Sequence, residues 1–286
     1  MAEWPRCAVG VPNLGSFADP VLLADLAVAA EEHGWDGFFL WDHLVWRDRA
    51  WPAADPVVVL SAVAARTARI RIGILVNGLP RRRPGKVARE SASLDLLSGG
   101  RLVVGAGLGS ATDYTAFGED ADPKLRAARL DESLHLLDAL WRGEPVTFHG
   151  DHFTVEQVTM LPRPLQRPRI PVWCGGQWPH RAPFRRAARW DGVMPLHVDY
   201  GVGETMPPAE LRDLIGYTLA HRTDSGPFDV ALEGRTDGAS PGRGGQHVAP
   251  YAQAGLTWWN EALGWWRGSP ADAMARVRQG PPLPAG

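Results

Sequence analysis

The stretch RIRIGILVNGLPRRRPGKVARESASLDLLSGGRLVVGAG, residues 69–107, predicts a strand, a helix and a second strand in succession. RIRIGILV (69–76) has the isoleucine and valine content of a buried strand. A helix is expected from about Pro84 to Leu97, because proline suits a first helical position and Ser98–Gly99–Gly100 ends the pattern. RLVVGAG (101–107) predicts the next strand. The stretch is therefore a strand–helix–strand unit of the kind that builds parallel sheets.

The same alternation extends in both directions along the chain. Upstream, CAVGV (7–11) and GFFLW (37–41) predict two strands, each followed by a helix that opens with Asp–Pro. Downstream, four more strands are predicted in VWCG (172–175), DGVMPL (191–196), FDVALEG (228–234) and LTWWNEA (256–262). Eight alternations favour a closed (β/α)8 TIM barrel, as one domain over residues 1–286, over a six-stranded doubly wound sheet.

One segment interrupts this alternation. Between about 110 and 170 the sequence predicts a long helix (about 124–142) and a hairpin in FHGDHFTV that turns at Gly150–Asp151. We therefore expect an insertion after the fourth strand. The glycine-rich stretch 234–247 predicts a mobile loop.

Composition narrows the class of protein. The 286 residues are 45% hydrophobic and 22% charged, as in a soluble globular protein. The net charge of -2 produces no electrostatic field that would attract nucleic acid or an anionic membrane. No apolar run approaches the roughly 20 residues of a membrane span, and no secretory signal is recognisable. Cys7 and Cys174 are too few for a disulfide framework. These features predict a cytoplasmic protein that acts on a small molecule.

In a barrel of this kind the active site lies where the strands end at their carboxyl side. Asp42 and His43 follow the second strand there, and a histidine in this position is either structural or catalytic. Convergence with other polar strand ends favours catalysis. The remaining residues just past the strands are Pro12, Asn13, Val76–Gly78, Gly107–Ser110, Gly175–Trp178, His197–Tyr200, Glu233, Asn260 and Glu261.

Three chemistries compete for this rim. Metal-dependent hydrolysis usually needs a His-x-His pair on an early strand, which this chain lacks; His149 and His152 fall in the hairpin, where they are expected to be solvated, so no metal site is predicted. Glycoside hydrolysis needs two carboxylates roughly 5–10 Å apart, for which Glu261 and Asp42 are available. Cofactor redox chemistry needs a glycine-lined backbone that approaches a phosphate and a ring.

Two glycine clusters meet the third requirement. GAGLGS (105–110) ends the fourth strand, although its spacing is not that of a dinucleotide-binding fingerprint. CGGQWPHRAP (174–183) predicts a phosphate site, because Gly175–Gly176 are expected to lead into a helix whose N-terminus favours anions. The run RRRPGK (81–86) begins near the same rim. Such a run is usually solvated, but here it could attract an anion.

With these features the sequence resembles the luciferase-like monooxygenases, which are (β/α)8 enzymes that use reduced FMN or the deazaflavin F420. The similarity covers most of the chain up to about 196 and is thin past 200, where GLTWWNE (255–261) resembles the usual last strand. The stretches that carry it are GWDGFFLWDHLVW (34–46) and residues 67–109, 129–153 and 161–195.

The resemblance implies a cofactor site. It implies a non-prolyl cis peptide at Leu75–Val76 behind the ring, a phosphate at Gly175–Gly176, and an insertion that covers the site. The cofactor-binding residues it implies are Leu75, Val76, Asn77, Gly107, Leu108, Gly109, Ser110, Gly175, Gly176 and Gln177.

By the same resemblance, His43 is expected to be a hydrogen-bond donor or general acid/base, with Asp42 orienting it. Some F420-dependent sugar dehydrogenases carry a glutamate where this chain has Ser110, which leaves the proton donor unassigned. The substrate is expected against the tryptophans 41, 46, 178 and 259.

The resulting hypothesis is a luciferase-like oxidoreductase or monooxygenase, for which the resemblance makes a homodimer a possible assembly. It would act on a small organic substrate by hydride transfer with reduced F420 or by oxygen activation with FMN. The alternatives are a redox-inactive small-molecule-binding barrel and a glycoside hydrolase.

Overall fold

The structure, a computed structural model, describes residues 3–47, 49–238 and 242–284. The strands are β1 (Arg6–Val11), β2 (Gly37–Leu40), β3 (Arg71–Gly78), β4 (Leu102–Gly107), β5 (Pro145–His149), β6 (Thr154–Thr159), β7 (Val172–Trp178), β8 (Gly192–His197), β9 (Asp229–Gly234) and β10 (Trp258–Ala262). The helices are α1 (Pro20–Glu32), α2 (Pro56–Arg66), α3 (Pro84–Leu97), α4 (Ala111–Thr115), α5 (Pro123–Trp141), α6 (Arg181–Ala187), α7 (Pro208–Ala220), α8 (Arg243–Ala254) and α9 (Pro270–Arg278).

Eight parallel strands close into a barrel in the order β1-β10-β9-β8-β7-β4-β3-β2. This confirms the predicted (β/α)8 barrel. Helices α1 and α2 begin as their sequences predict: an aspartate (Asp19 or Asp55) accepts hydrogen bonds from free backbone N–H groups of the first turn, and a proline follows it. Helix α5 begins in the same way at Asp122.

One side chain from each barrel strand points inward to form the inner core: Ala8, Phe39, Leu75, Val103, Trp173, Met194, Ala231 and Trp258. Successive strand residues face opposite sides, so the next inward residue lies two positions further on. This rule brings Trp41, Gly175, Glu233 and Asn260 to the inner side of the mouth, where the carboxyl ends of the strands meet.

The insertion follows β4, as predicted. It contains α4, α5 and the antiparallel hairpin β5–β6, whose turn is fixed by Glu132 on α5. The hairpin therefore contacts α5, and α4 and the first turns of α5 reach the mouth.

Two further features concern the sequence predictions. Cys7 and Cys174 are both buried and free. Of the glycine-rich stretch 234–247, expected to be mobile, residues 239–241 lie outside the described residues and α8 begins at Arg243. No helix in the described part of the chain combines the length and apolar character that crossing a membrane requires.

Candidate active site

Strand β3 carries an irregularity between Ile74 and Asn77, and its Leu75–Val76 peptide bond is cis, at the position that the family resemblance implies. The bulge turns Val76 inward directly after Leu75. A β-carbon at Gly107 would lie 2.5 Å from Cγ2 of Val76, and one at Gly175 would lie 2.6 Å from Cγ1. Only glycine therefore lets the half-exposed Val76 lie across β4 and β7. We call Val76, Gly107 and Gly175 the glycine platform.

The loop after β4 borders this platform. Its residues Leu108, Gly109 and Ser110 are half-exposed. Tyr114 donates to the carbonyl oxygen of Leu108 at 2.8 Å, and Arg126 donates to that of Gly109 at 3.0 Å. Gly109 has a φ of +72°, which favours glycine. The carbonyl groups of this loop are thus held in place, and its half-exposed residues border the platform.

The other two residues predicted on β3 have different positions. Leu75 is buried in the inner core of the barrel, below the platform. Asn77 is also buried, and its side-chain oxygen accepts a hydrogen bond from Arg82 at 3.1 Å. Val76 is therefore the β3 residue that a ligand in the mouth can touch.

The predicted phosphate site differs from the expectation. Gly175 and Gly176 do not lead directly into a helix, because β7 continues to Trp178 and α6 begins only at Arg181. Gly175, Gly176 and Gln177 are nevertheless half-exposed or exposed at the mouth. A β-carbon at Gly176 would collide with Pro183 of α6. Packing therefore requires glycine here, independently of any role in binding a ligand.

A carboxylate that the sequence analysis overlooked contacts His43. Nδ1 of His43 lies 3.0 Å from Oδ2 of Asp113, on α4. The other carboxylate oxygen of Asp113 accepts from the backbone N–H groups of Leu44 and Val45, at 2.9 and 3.0 Å. Asp113 thus fixes both the ring and the backbone beside it, and the orienting role expected of Asp42 falls to Asp113.

Asp42 faces Arg81 instead. Its Oδ1 lies 2.6 Å from Nη2 of Arg81, and its Oδ2 accepts from the backbone N–H of Gly78 at 3.0 Å. Both side chains are buried. Nη1 of Arg81 lies 3.9 Å from Asp113, so one guanidinium stands between the two carboxylates. Of the basic run 81–86, this arginine points into the site, whereas Arg82 and Lys86 pair with Glu90.

The charge state of Asp113 follows from these contacts. Burial alone would raise its pKa, but hydrogen bonds from His43 and from the Val45 backbone, together with the charges of His43 and Arg81, hold the pKa below its ordinary value. Asp113 is therefore a carboxylate at neutral pH. A carboxylate at Nδ1 leaves Nε2 of His43 as the ring nitrogen available to a ligand.

Trp41 and Trp46, two of the tryptophans expected to contact substrate, lie beside His43 with ring centroids 5.9 and 4.7 Å from it. Trp41 stacks on Trp266 at 5.3 Å, and Trp265 packs against Trp41, Trp46 and Trp51. All five indoles are half-buried. We call Trp41, Trp46, Trp51, Trp265 and Trp266 the aromatic wall.

Trp178 and Trp259 do not belong to this wall. Trp178 is buried against Phe184 and Tyr217 of the outer helices, and Trp259 is fully buried against Tyr251 of α8. Both stand on the outward side of their strands. The expectation that they contact substrate is therefore wrong in this structure.

Two carboxylates on the last strands also point to opposite sides of the barrel wall. Glu261, on the outward side of β10, is fully buried and accepts from Thr236, Trp259 and Arg267. Glu233 faces inward on β9, and its Oε1 accepts from Nε1 of Trp41 at 3.2 Å. Because Glu261 points out of the barrel and Asp42 is paired with Arg81, the carboxylate pair proposed for glycoside hydrolysis does not form.

Several of these residues were beyond sequence reasoning. Asp113 lies far from His43 in the chain, with no spacing that links the two. Arg81 could not be told from its two arginine neighbours. Trp265 and Trp266 could have been predicted at the mouth, because they follow the last strand. Among the described residues, no group of three or more His, Cys, Asp or Glu side chains could hold a metal ion.

Comparison with known proteins supports the assignment of the fold. An F420-dependent glucose-6-phosphate dehydrogenase of Nakamurella multipartita is 40% identical over 163 residues, which are 56% of this chain and 48% of that protein. The chain thus spans about half the length of the curated relatives it matches.

Two solved structures share the fold at low identity. The F420-dependent tetrahydromethanopterin reductase of Methanopyrus kandleri has a TM-score of 0.76 and 16% identity, with 97% of each chain covered. The monooxygenase RslO1 of Streptomyces bottropensis has a TM-score of 0.72 and 21% identity, covering 96% of this chain and 97% of that one. The family model described as luciferase-like monooxygenase matches residues 13–203. The chain belongs to the luciferase-like monooxygenase family.

Proposed function

We propose that this protein is an oxidoreductase that uses F420 or FMN to act on a small organic molecule. The observation that carries the proposal is the position of His43 at the same end of the barrel as the glycine platform. Gly78 links the two: its N–H donates to Asp42, the neighbour of His43, and it pairs in register with Gly107.

The residues present fit a flat cofactor. The glycine platform offers the ring one small half-exposed side chain, Val76, and the half-exposed Gly175, while Gly107 is buried against Val76. The half-exposed segment Leu108–Ser110 borders one side, and the strand end Gly175–Gln177, rather than a helix N-terminus, would hold the phosphate that the family resemblance implies. When bound, F420 would supply hydride transfer, and reduced FMN would supply oxygen activation.

The chain's own groups then act on the substrate side. His43 would hold or move a proton at Nε2, because Nδ1 is engaged by Asp113. The aromatic wall would orient an apolar substrate and exclude water from the ring. F420 is favoured over FMN because the curated relatives are named F420-dependent enzymes.

Direct titration of the purified protein tests this proposal. F420 binding is followed by its fluorescence and FMN binding by its absorbance spectrum, each against the wild type and two matched variants. Val76→Phe fills the platform, whereas Val58→Phe adds the same ring to an exposed position on α2. We expect Val76→Phe to weaken binding by about tenfold or more and Val58→Phe to leave it unchanged. Binding of neither cofactor would overturn the proposal in favour of a redox-inactive barrel.

A further inference from the structure

Glu233 lies at the base of the aromatic wall with hydrogen-bonding capacity that the protein does not use. Its Oε1 accepts from Trp41, and its Oε2 has no hydrogen-bond partner among the described residues. The residue is 7% exposed. In the barrel order β9 stands four strands from β3 in either direction, so Glu233 faces the glycine platform across the barrel axis.

A second polar group with unused hydrogen-bonding capacity lies beside Glu233. Asn260 on β10 is the register partner of Glu233. Its Oδ1 is buried and receives no hydrogen bond, and its side chain lies against Gly10, where a β-carbon would be 2.5 Å from Nδ2. Buried polar groups without partners are uncommon in native proteins. The inner side of the mouth therefore carries two adjacent side chains with unused hydrogen-bonding capacity.

The surroundings of Glu233 and Asn260 restrict the kind of ligand that these two side chains could bind. Five half-buried indoles give it a broad apolar surface. The buried cations near the mouth are already neutralised, Arg81 by Asp42 and Arg267 by Glu261. The arrangement suits an uncharged molecule with an apolar body and one hydrogen-bonding group.

The family model matches residues 13–203, which include Trp41, Trp46 and Trp51 of the aromatic wall. Glu233, Asn260, Trp265 and Trp266 come after that segment. The polar base and two of the five indoles therefore lie outside the matched segment.

We propose that Glu233 is a substrate-binding and specificity-determining residue, whose carboxyl group hydrogen-bonds the hydroxyl or carbonyl oxygen of an uncharged alcohol or ketone held against the aromatic wall. This inference rests on the proposed function and names its substrate class.

The protonation of Glu233 sharpens the inference. Burial raises its pKa to about 7, against the opposing hydrogen bond from Trp41. Below that pH the carboxyl group donates to a carbonyl oxygen; above it, the carboxylate only accepts, from a hydroxyl group. Ionisable groups also lie on the surrounding elements: His43 beyond Trp41, His197 with Glu210, the outward Glu261 with Arg267 and Arg276, and Arg235 just after β9. In the part of the chain that the structure describes, none of these groups contacts the Glu233 carboxyl group.

The test uses cofactor-free protein, with tryptophan fluorescence as the readout and cyclohexanone and cyclohexanol as probes. We expect the ketone to bind about fivefold more tightly at pH 5.5 than at pH 8.5, and the alcohol to show the opposite preference. Glu233→Gln should make both affinities independent of pH. Glu156→Gln, at an exposed carboxylate on the hairpin, should behave as the wild type.

The outcomes separate this inference from the proposed function. A pH dependence that survives in Glu233→Gln, or no binding of either probe, overturns the role of Glu233. Tighter binding of glucose 6-phosphate than of both probes overturns the substrate class. Because no cofactor is present, failure of F420 and FMN to bind would leave these results intact and remove the redox function alone.

Discussion

His43 and Asp113, seventy positions apart in the chain, meet at 3.0 Å between Nδ1 and Oδ2. Asp113→Asn should lower kcat/KM by about tenfold or more, because the carboxamide no longer enforces the Nδ1–H form of the ring. His43→Ala should cost about a hundredfold or more. Steady-state kinetics with any substrate that the protein turns over measures both, and Asp25→Asn, at an exposed ion pair, is the control. An unchanged rate in His43→Ala would remove the role given to this side chain.

Arg81 should contribute strongly to stability. Arg81→Met leaves Asp42 and Asp113 buried without their shared cation, and we expect a loss of about 3–5 kcal/mol in the free energy of unfolding. Arg66→Met breaks the exposed pair with Asp25 and should cost less than about 1 kcal/mol. Urea denaturation of both variants measures the difference. Equal losses would show that the buried network is no stronger than a surface pair.

The glycine platform should tolerate no β-carbon unless Val76 is shortened. Gly107→Ala places a methyl group against Cγ2 of Val76 and should destabilise the fold by about 1–3 kcal/mol. The double variant Gly107→Ala with Val76→Ala should recover part of that loss. Gly216→Ala, in α7 with open space around it, should instead be stabilising. Thermal unfolding distinguishes the three, and additive losses in the double variant would contradict the contact.

Glu233 should make stability fall with rising pH. Its pKa is raised from 4.5 to about 7 in the folded protein, so the folded state keeps a proton that the unfolded chain has lost. The stabilising contribution is complete below about pH 4.5 and is lost as the pH rises to about 7, at no more than about 1.4 kcal/mol per pH unit. Glu233→Gln removes this dependence, so its stability relative to the wild type should increase between pH 5 and pH 7.5. Urea denaturation at pH 5 and at pH 7.5 measures the free energy of unfolding of both proteins. If that free energy changed equally with pH in the wild type and in Glu233→Gln, burial of a protonated carboxyl group would be contradicted.

The two classes of tryptophan should respond differently to substitution. Trp46→Ala removes part of the aromatic wall and should raise KM by about tenfold with little change in Tm. Trp259→Ala empties a fully buried position and should lower stability by about 3–5 kcal/mol, while KM of the folded protein stays the same. Kinetics and thermal unfolding of both variants provide the comparison. A change in KM seen only in Trp259→Ala would show that Trp259, rather than Trp46, contacts the substrate.

The sequence by itself determined the barrel and placed the glycines of the platform at strand ends. Local signals mark where helices begin, as at Asp19 and Asp55, and alternation of strands and helices leaves little choice of architecture. Helix starts and alternation depend on neighbours in sequence, which is why they could be predicted. The cis peptide bond at Leu75–Val76 was expected instead from the resemblance to a known family, which the stretch 67–109 helps to carry.

Only the tertiary structure decided which side chains meet. Asp113 rather than Asp42 contacts His43 because the insertion folds back over the second strand end, and no local pattern encodes that return. Trp259 was misassigned for a related reason. Parallel barrel strands are buried on both faces, so apolar residues do not alternate with polar ones, and the sequence does not show which of two adjacent tryptophans points inward. Packing of each strand against its neighbours sets that choice.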